Sequence, residues 1–179
     1  MRVTRLAEEY AQALFSLAHE QGIDEQVYKD LSSTADVLGD NRQFLYFVQS
    51  PAIPYEQKAE LVAHVFHCEK LTKYFYELLL RRKVFHLLPG IKIQYKKLYD
   101  DARGIAAVNV VSASPLDKEK QETVKKTLHS LLKRTIAPEY SVDPDLIAGL
   151  VVRYGDKILD GSLKTQFSLI KEELVKERK

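Results

Sequence analysis

The chain has 179 residues, of which 45% are apolar and 29% are charged, and this composition is typical of a globular protein with a buried core. Its 27 basic and 25 acidic residues leave a formal net charge of +2, which is too balanced for a protein whose main partner is nucleic acid. The single cysteine, Cys68, excludes an intramolecular disulfide framework, so we expect a reducing compartment.

The amino-terminal sequence does not have the pattern of a targeting segment. Glu8 and Glu9 fall where a signal peptide needs its apolar run, and acidic residues are rare in organelle transit peptides. No stretch of the sequence approaches the roughly 18 consecutive apolar residues of a membrane span. We therefore expect a soluble protein.

Helical periodicity runs through the first hundred residues, and glycine or proline interrupts it at short intervals. The predicted helices cover residues 4–20, 23–38, 41–49, 55–67, 70–84 and 88–102. Helices joined by such short connections favour a compact arrangement. We predict a six-helix bundle over residues 1–103.

Strand-like patterns begin at Gly104, so we predict a small α/β domain over residues 104–179 and a fold that is mainly α. Residues 105–113 are apolar on both faces except at Asn109, which favours a strand covered on both sides. Asp117 can cap the helix that follows, and Pro138 is expected to end that segment. The remaining predicted elements are strands at 139–143, 149–154 and 157–160, a Gly155-Asp156 turn and a closing helix from about residue 162.

The first helix carries more apolar surface than one core requires, because its apolar positions sweep an arc of roughly 200° instead of about 100°. The fifth helix repeats this excess. Two interpretations remain open. Both helices lie at the centre of the bundle, or they border an exposed groove, floored by alanines, that receives an amphipathic helix from a partner.

Catalytic and metal-binding patterns are weak. His64 and Cys68 share a helical face with His67 close by, but a zinc ion needs further ligands and the other histidines have no ligand spacing. Adjacent acidic residues such as Glu8 and Glu9 point about 100° apart on a helix and do not converge. The sequence contains no glycine-rich phosphate loop, nucleophile elbow or HExxH pattern. We predict no catalytic residue, no metal site and no cofactor.

The segment DPDLIAGLVVRYGDKILDGSLKTQF, residues 143–167, resembles the C-terminal signature of the F-type ATP synthase delta subunit family, which includes the mitochondrial oligomycin-sensitivity-conferring protein. The signature positions are filled by Gly149, Arg153, Gly155, Asp156, Asp160, Gly161 and Ser162. The family's opening helix is matched by Tyr10, Ala11, Ala13 and Leu14. Relatives often break the fifth helix with glycine where this chain has Arg81-Arg82-Lys83, so we expect a longer helix here.

The resemblance implies a stator subunit that does no chemistry and keeps the catalytic head from turning with the rotor during proton-driven ATP synthesis. Residues 1–103 would hold the N-terminal helices of alpha subunits, one of them in the groove between the first and fifth helices. Residues 104–179 would meet the C-terminal end of the b-subunit stalk. The protein would be peripheral on the cytoplasmic side of a bacterial plasma membrane and would touch the membrane only through the complex.

A link that resists torque favours a large apolar contact with slow dissociation over surface ion pairs worth about 0–1 kcal/mol each. The residues that we predict at the alpha-contacting groove are Tyr10, Ala13, Leu14, Leu78 and Leu79, with Arg82 at the rim.

Two other functions compete with this one. The first is a helical adaptor that binds an amphipathic peptide outside ATP synthesis. The second is a small enzyme with a histidine or acidic residue in a hinge cleft, for which no convergent groups are found.

Overall fold

The protein is mainly helical, as the sequence predicts, and its described residues include a small four-stranded sheet. The structure is a computed structural model that describes residues 4–155, 157–163 and 165, without the side chain of Arg42. The chain divides into two compact units, Met1–Tyr99 and Asp100–Lys179. The predicted boundary, after residue 103, lies just beyond this division.

The helices of residues 5–102 follow the predicted ranges closely. They are α1 (Arg5–Glu20), α2 (Asp24–Asp40), α3 (Arg42–Gln49), α4 (Tyr55–Val65), α5 (Lys70–Arg81) and α6 (Leu88–Ala102), with a short 3-10 helix, Phe85–Leu87, before α6. The helix starts have local causes. Thr4 caps α1 by accepting the Ala7 amide at 3.3 Å, and Asn41 caps α3 by accepting the Phe44 amide at 3.0 Å.

The end of α5 differs from the prediction, because the helix stops at Arg81 and does not run longer. Lys83 adopts a left-handed conformation with φ of +60°. The Val84 amide donates to the Leu79 carbonyl at 2.9 Å, and the Lys83 amide donates to the Leu80 carbonyl at 3.0 Å. This pair of hydrogen bonds is a Schellman motif, which usually places glycine at the left-handed position. Lys83 therefore ends the helix in the way that we expected only a glycine to do.

A buried polar network fixes α5 against α2 in the first unit. The Tyr76 hydroxyl forms hydrogen bonds with Thr34 Oγ1 at 2.7 Å and with the Asp30 carbonyl oxygen at 3.2 Å. The Asp30 carboxylate accepts the amide of Glu69, the residue before α5, at 2.8 Å. Burial raises the pKa of Tyr76, so its hydroxyl stays protonated and remains a donor. The position of α5 is therefore set by satisfied hydrogen bonds as well as by packing.

The described residues of the second unit form a mixed sheet and one long helix. Its elements are β1 (Ile105–Ser112), α7 (Lys118–Leu132), β2 (Thr135–Val142), β3 (Leu150–Tyr154) and β4 (Lys157–Asp160). The strand order is β2-β1-β3-β4, with β1 and β2 parallel and the other pairs antiparallel. The crossover through α7 satisfies the length that a parallel pair requires. The core of this unit consists of Ala106, Val108, Val110, Leu128, Ile136 and Val152.

Three predictions for this unit need correction or fall outside the structure. Burial alternates along β1 and leaves Ala107 and Asn109 exposed, so the prediction that both its faces are covered was wrong. β2 begins at Thr135, and Pro138 lies inside it, which is tolerated because β2 is an edge strand. α7 ends instead at Leu132, and Lys133 after it adopts a left-handed conformation with a φ of +52°. Asp156 and all but the first residues of the predicted closing helix lie outside the described residues.

Candidate partner-binding site

The apolar surface of α1 divides into two faces. Ala7, Ala11 and Leu14 are buried in the core with 0–2% of their surface exposed. On the adjoining face, Leu6 and Leu17 keep 42% and 48% of their surface exposed. The wide apolar arc of this helix therefore exceeds what the core covers, and part of it faces solvent.

The same division occurs on α5, which lies beside α1. The rings of Tyr10 and Phe75 meet edge to face, with centroids 6.1 Å apart, and so join the two helices. Phe75 is buried, whereas Tyr74 and Leu78 keep 58% and 41% of their surface exposed. We define the apolar strip by its exposed or half-buried members, which are Leu6, Tyr10, Ala13 and Leu17 of α1 and Tyr74 and Leu78 of α5.

The predicted groove residues fall at two depths. Ala13, Leu78 and Arg82 are exposed, and Tyr10 is half-buried. Leu14 and Leu79 are core residues with 2% and 0% of their surface exposed, so a partner cannot touch them while the fold is intact. Both therefore support the strip from below.

Sequence reasoning left three members of the strip out of the predicted site. Leu6 and Leu17 were recognised as apolar but were not assigned to the groove, and the same holds for Tyr74. The available signal was helical spacing, since Leu6 and Leu17 lie one turn before Tyr10 and one turn after Ala13. An exposed ion pair between Arg5 Nε and Glu9 Oε1, 3.2 Å apart, lies on the polar face of α1. Such a pair contributes little to stability.

The C-terminal signature builds a tight backbone crossing in the second unit. Gly149 has a φ of +93°, and a Cβ atom there would lie 2.3 Å from the Gly161 carbonyl oxygen. The Gly161 amide donates to the Leu150 carbonyl at 2.9 Å, and the Leu163 amide donates to the Ala148 carbonyl at 3.0 Å. Only glycine at position 149 permits this approach.

Asp160 and Ser162 close the same crossing with side-chain hydrogen bonds. Asp160 accepts the Ser162 amide at 2.9 Å and the Thr165 hydroxyl at 2.7 Å. These hydrogen bonds lower the pKa of Asp160, and the bond from the Ser162 amide has the largest effect. Gly155 adopts a φ of +55° at the turn after β3, and Arg153 is exposed on β3. Apart from Arg153, the described signature residues shape the backbone and do not form a ligand site.

No metal centre forms among the described residues, where no group of three His, Cys, Asp or Glu side chains is arranged to hold an ion. α4 ends at Val65, so His67 and Cys68 lie beyond the helix and lose the helical geometry that the sequence had offered. Burial raises the pKa of the Cys68 thiol to about 11, which leaves it unreactive at neutral pH. Within the described chain, no helix is long and apolar enough to cross a membrane.

A second apolar opening occurs in the second unit, between the start of α7 and the segment that leads into β3. It encloses about 480 Å³ and is lined by Leu116, Val124, Ile147 and Leu150, among others. Ile147 has a φ of +66° and keeps 65% of its surface exposed. A β-branched residue in this conformation, held open to solvent, is a marked departure from ordinary backbone preference.

Comparison with known proteins confirms the resemblance seen in the sequence. The family model for the ATP synthase delta (OSCP) subunit matches residues 6–174. The chain is 34% identical over 171 residues to the ATP synthase subunit delta of Chlorobium phaeobacteroides, covering 94% of each chain. It is 32% identical over 175 residues to that of Flavobacterium johnsoniae, covering 97% of this chain and 99% of the relative.

The fold is also similar to a chain in the cryo-EM structure of the Toxoplasma gondii mitochondrial ATP synthase hexamer. The TM-score is 0.71 at 22% identity, over 96% of this chain and 98% of that chain, which shows likeness of fold. The family match and the bacterial relatives extend over almost the whole sequence. The chain therefore belongs to the ATP synthase delta (OSCP) subunit family and is a structural, non-catalytic stator subunit of the peripheral stalk of F-type ATP synthase.

Proposed function

We propose that the chain joins head and stalk through two separate surfaces, one in each half. The first, residues 1–103, acts as a six-helix bundle that binds the N-terminal helices of alpha subunits. The second, residues 104–179, binds the C-terminal end of the b subunits. The bacterial relatives support a peripheral location on the cytoplasmic side of the plasma membrane, reached through the assembled complex.

The observation that carries the alpha-binding half is the apolar strip. Leu6, Leu17, Tyr74 and Leu78 each keep 41–58% of their surface exposed on two adjacent helices. Large apolar side chains that are exposed on neighbouring helices are a feature of protein interfaces. An amphipathic helix fits such a surface by placing residues at i, i+3 or i+4 and i+7 along it. The small side chain of Ala13 allows the visiting backbone to approach closely.

Arg82 has a different part in this interface. It is exposed and lies just beyond the end of α5, one turn after Leu78. A basic side chain at the rim selects the orientation of a helix that carries an acidic residue, and its effect falls with added salt. The apolar members supply the slow dissociation that a torque-bearing link requires.

The b-binding half is supported by the apolar opening beside Ile147 in the second unit. Its lining combines the apolar side chains of Leu116 and Val124 with the backbone around Gly149, and the family signature holds that backbone in place. A volume of about 480 Å³ accommodates a few apolar side chains from the end of a helix. We assign the stalk contact to this opening.

The alpha-binding proposal is tested by titrating the full-length chain calorimetrically with a synthetic peptide of the alpha-subunit N-terminus. Ala13→Asp places a charge in the apolar contact, where an unpaired carboxylate loses its hydration. We expect at least a tenfold loss of affinity, which corresponds to about 1.4 kcal/mol. The matched control is Ala63→Asp, an exposed alanine on α4 outside the strip, which should bind as the unmodified chain does. Unchanged affinity of a folded Ala13→Asp protein would refute the assignment.

A further inference from the structure

A cavity of about 460 Å³ opens in the first unit between the loop joining α3 to α4 and the end of α5. Its floor is apolar, because Val48, Leu80 and Phe85 line it and keep only 2–6% of their surface exposed. Ile53 and Pro54 continue the apolar wall toward solvent. The volume lies within the range of about 300–1,000 Å³ that small-molecule pockets occupy.

The mouth of this cavity is basic. Lys58, Arg81 and Lys83 line it, and none of the described lining residues is acidic. None of the three cations forms an ion pair with an acidic side chain in the described chain. Positive charge beside an apolar wall attracts an anion and strengthens its hydrogen bonds.

Two of these cations are already held in place with donors to spare. Lys58 Nζ donates to the Ser50 carbonyl at 2.6 Å, which uses one of its three hydrogens. Arg81 Nε donates to the Tyr55 hydroxyl at 3.2 Å, and its guanidinium lies 5.2 Å from the centroid of the Tyr55 ring. These contacts restrain both side chains but leave the two terminal nitrogens of Arg81 available to a ligand. Binding therefore costs little side-chain ordering.

The start of α4 adds to the positive field at the same mouth. Pro54 precedes the helix and has no side-chain group that could cap its first turn. Pro54 and Tyr55 both line the cavity, so the positive end of the helix dipole lies at its edge. This contribution supports the three side-chain cations, which carry the argument.

We propose that this cavity binds a small organic anion with an apolar body and a carboxylate or phosphate head group. The apolar body lies on Val48, Leu80 and Phe85, and the head group meets Lys58, Arg81 and Lys83. The site is separate from the apolar strip, which uses Leu78 of α5. It is independent of the proposed contacts with alpha and b subunits.

The test adds three probes separately to the full-length chain. Two-dimensional NMR of the backbone amides measures the binding of each probe. Phenyl phosphate carries both features, benzyl alcohol only the apolar ring and inorganic phosphate only the anion. We expect phenyl phosphate to shift amides that line the cavity and to bind at least fivefold more tightly than either other probe. Equal binding of inorganic phosphate would reveal nonspecific anion attraction and overturn the proposal. Shifts confined to other parts of the chain would also overturn it.

Two variants remove the anion contacts. Lys83→Gln keeps a residue of similar size in the left-handed position, and Lys58→Gln removes the ammonium nearest the α3–α4 loop. We expect each to weaken phenyl phosphate binding at least threefold, and Lys97→Gln, an exposed position on α6, to leave it unchanged. Because Lys58 also holds the Ser50 carbonyl, the decisive variant is Lys83→Gln. Unchanged affinity in that variant would overturn the assignment.

Discussion

Gly149 occupies a position where a side chain has no room, because the backbone of Gly161 lies against it. Replacement by alanine would add both a clash 2.3 Å from a carbonyl oxygen and the strain of a φ of +93°. We expect Gly149→Ala to lower the free energy of unfolding of the second unit by about 3 kcal/mol. This loss can be measured by urea unfolding, with the NMR signals of β3 as the readout.

Gly155 provides the matched control for that substitution. Its φ is +55°, but a Cβ atom there would meet nothing within 4 Å. Gly155→Ala should therefore cost only about 1 kcal/mol, from conformation alone. Equal losses for the two variants would show that the crossing at Gly149 is not closely packed.

The lowered pKa of Asp160 predicts that the stability of the protein depends on pH. Hydrogen bonds from Ser162 and Thr165 hold the pKa of this carboxyl below its ordinary value of about 3.9. The folded state therefore gains stability from Asp160 above about pH 4, and this gain is lost as pH falls through the folded pKa. We expect Asp160→Asn to lower the urea midpoint at pH 7 and to approach the unmodified protein near pH 2.

The carboxylate of Asp145 serves as the control for charge alone. It is exposed, and in the described chain only its backbone amide takes part in a side-chain hydrogen bond. Asp145→Asn should leave the urea midpoint nearly unchanged at both pH values. A difference between Asp160→Asn and the unmodified protein that persists unchanged at pH 2 would contradict this account.

Residue roles were only partly predictable. The resemblance identified Gly149 and Asp160 as signature positions, but their functions depend on backbone that returns to them from elsewhere in the fold. Leu14 and Leu79 were predicted to line the groove because their apolar character fitted its arc, yet both are buried. Helical periodicity predicts the face of the helix on which a residue lies. It does not predict how much of that residue the neighbouring helices bury.

At the scale of the helix, α1 offers a direct comparison of its two faces. Leu14 has 2% and Leu17 has 48% of its surface exposed in the same helix. Leu14→Ala should lower the free energy of unfolding by about 3 kcal/mol because it empties a core site. Leu17→Ala should cost about 0.5 kcal/mol. Chemical denaturation of the two variants checks this, and similar losses would place Leu17 in the core.

Most element boundaries follow from local signals, and the errors have particular causes. Caps, prolines and glycines located the helices of the first unit to within a few residues, apart from the end of α5. That end depends on Lys83, whose left-handed conformation has no sequence signature. The start of β2 was missed because Pro138 was interpreted as a breaker, whereas its place in an edge strand became known only with the sheet order.

For β1, the alternation was present in the sequence but was obscured by small residues. Ala106, Val108 and Val110 face the core, and Ala107 lies between them as an apolar residue on the exposed face. An alanine on the outer face looks like a core residue in a count of apolar positions. Tertiary packing therefore decided which face was covered.

At the scale of the whole molecule, the amino-acid pattern separated a helical half from an α/β half, and the resemblance supplied the function. What the pattern left open was whether the surplus apolar surface of α1 and α5 was covered within the chain. In the structure Leu6, Leu17, Tyr74 and Leu78 remain exposed, which favours the groove over the central-helix interpretation. A stator subunit works only in its complex, so uncovered apolar surface in the lone chain is where partners are expected.

The most direct measurement is a methyl NMR titration of the full-length chain with the alpha N-terminal peptide, with a solvent-borne paramagnetic agent reporting exposure. Methyl groups of Leu6, Leu17 and Leu78 should become protected at saturation. Those of Leu131 and Ile158, which are exposed apolar residues of the second unit, should remain accessible. Protection of the second pair without the first would contradict the assignment of the apolar strip to the alpha subunit.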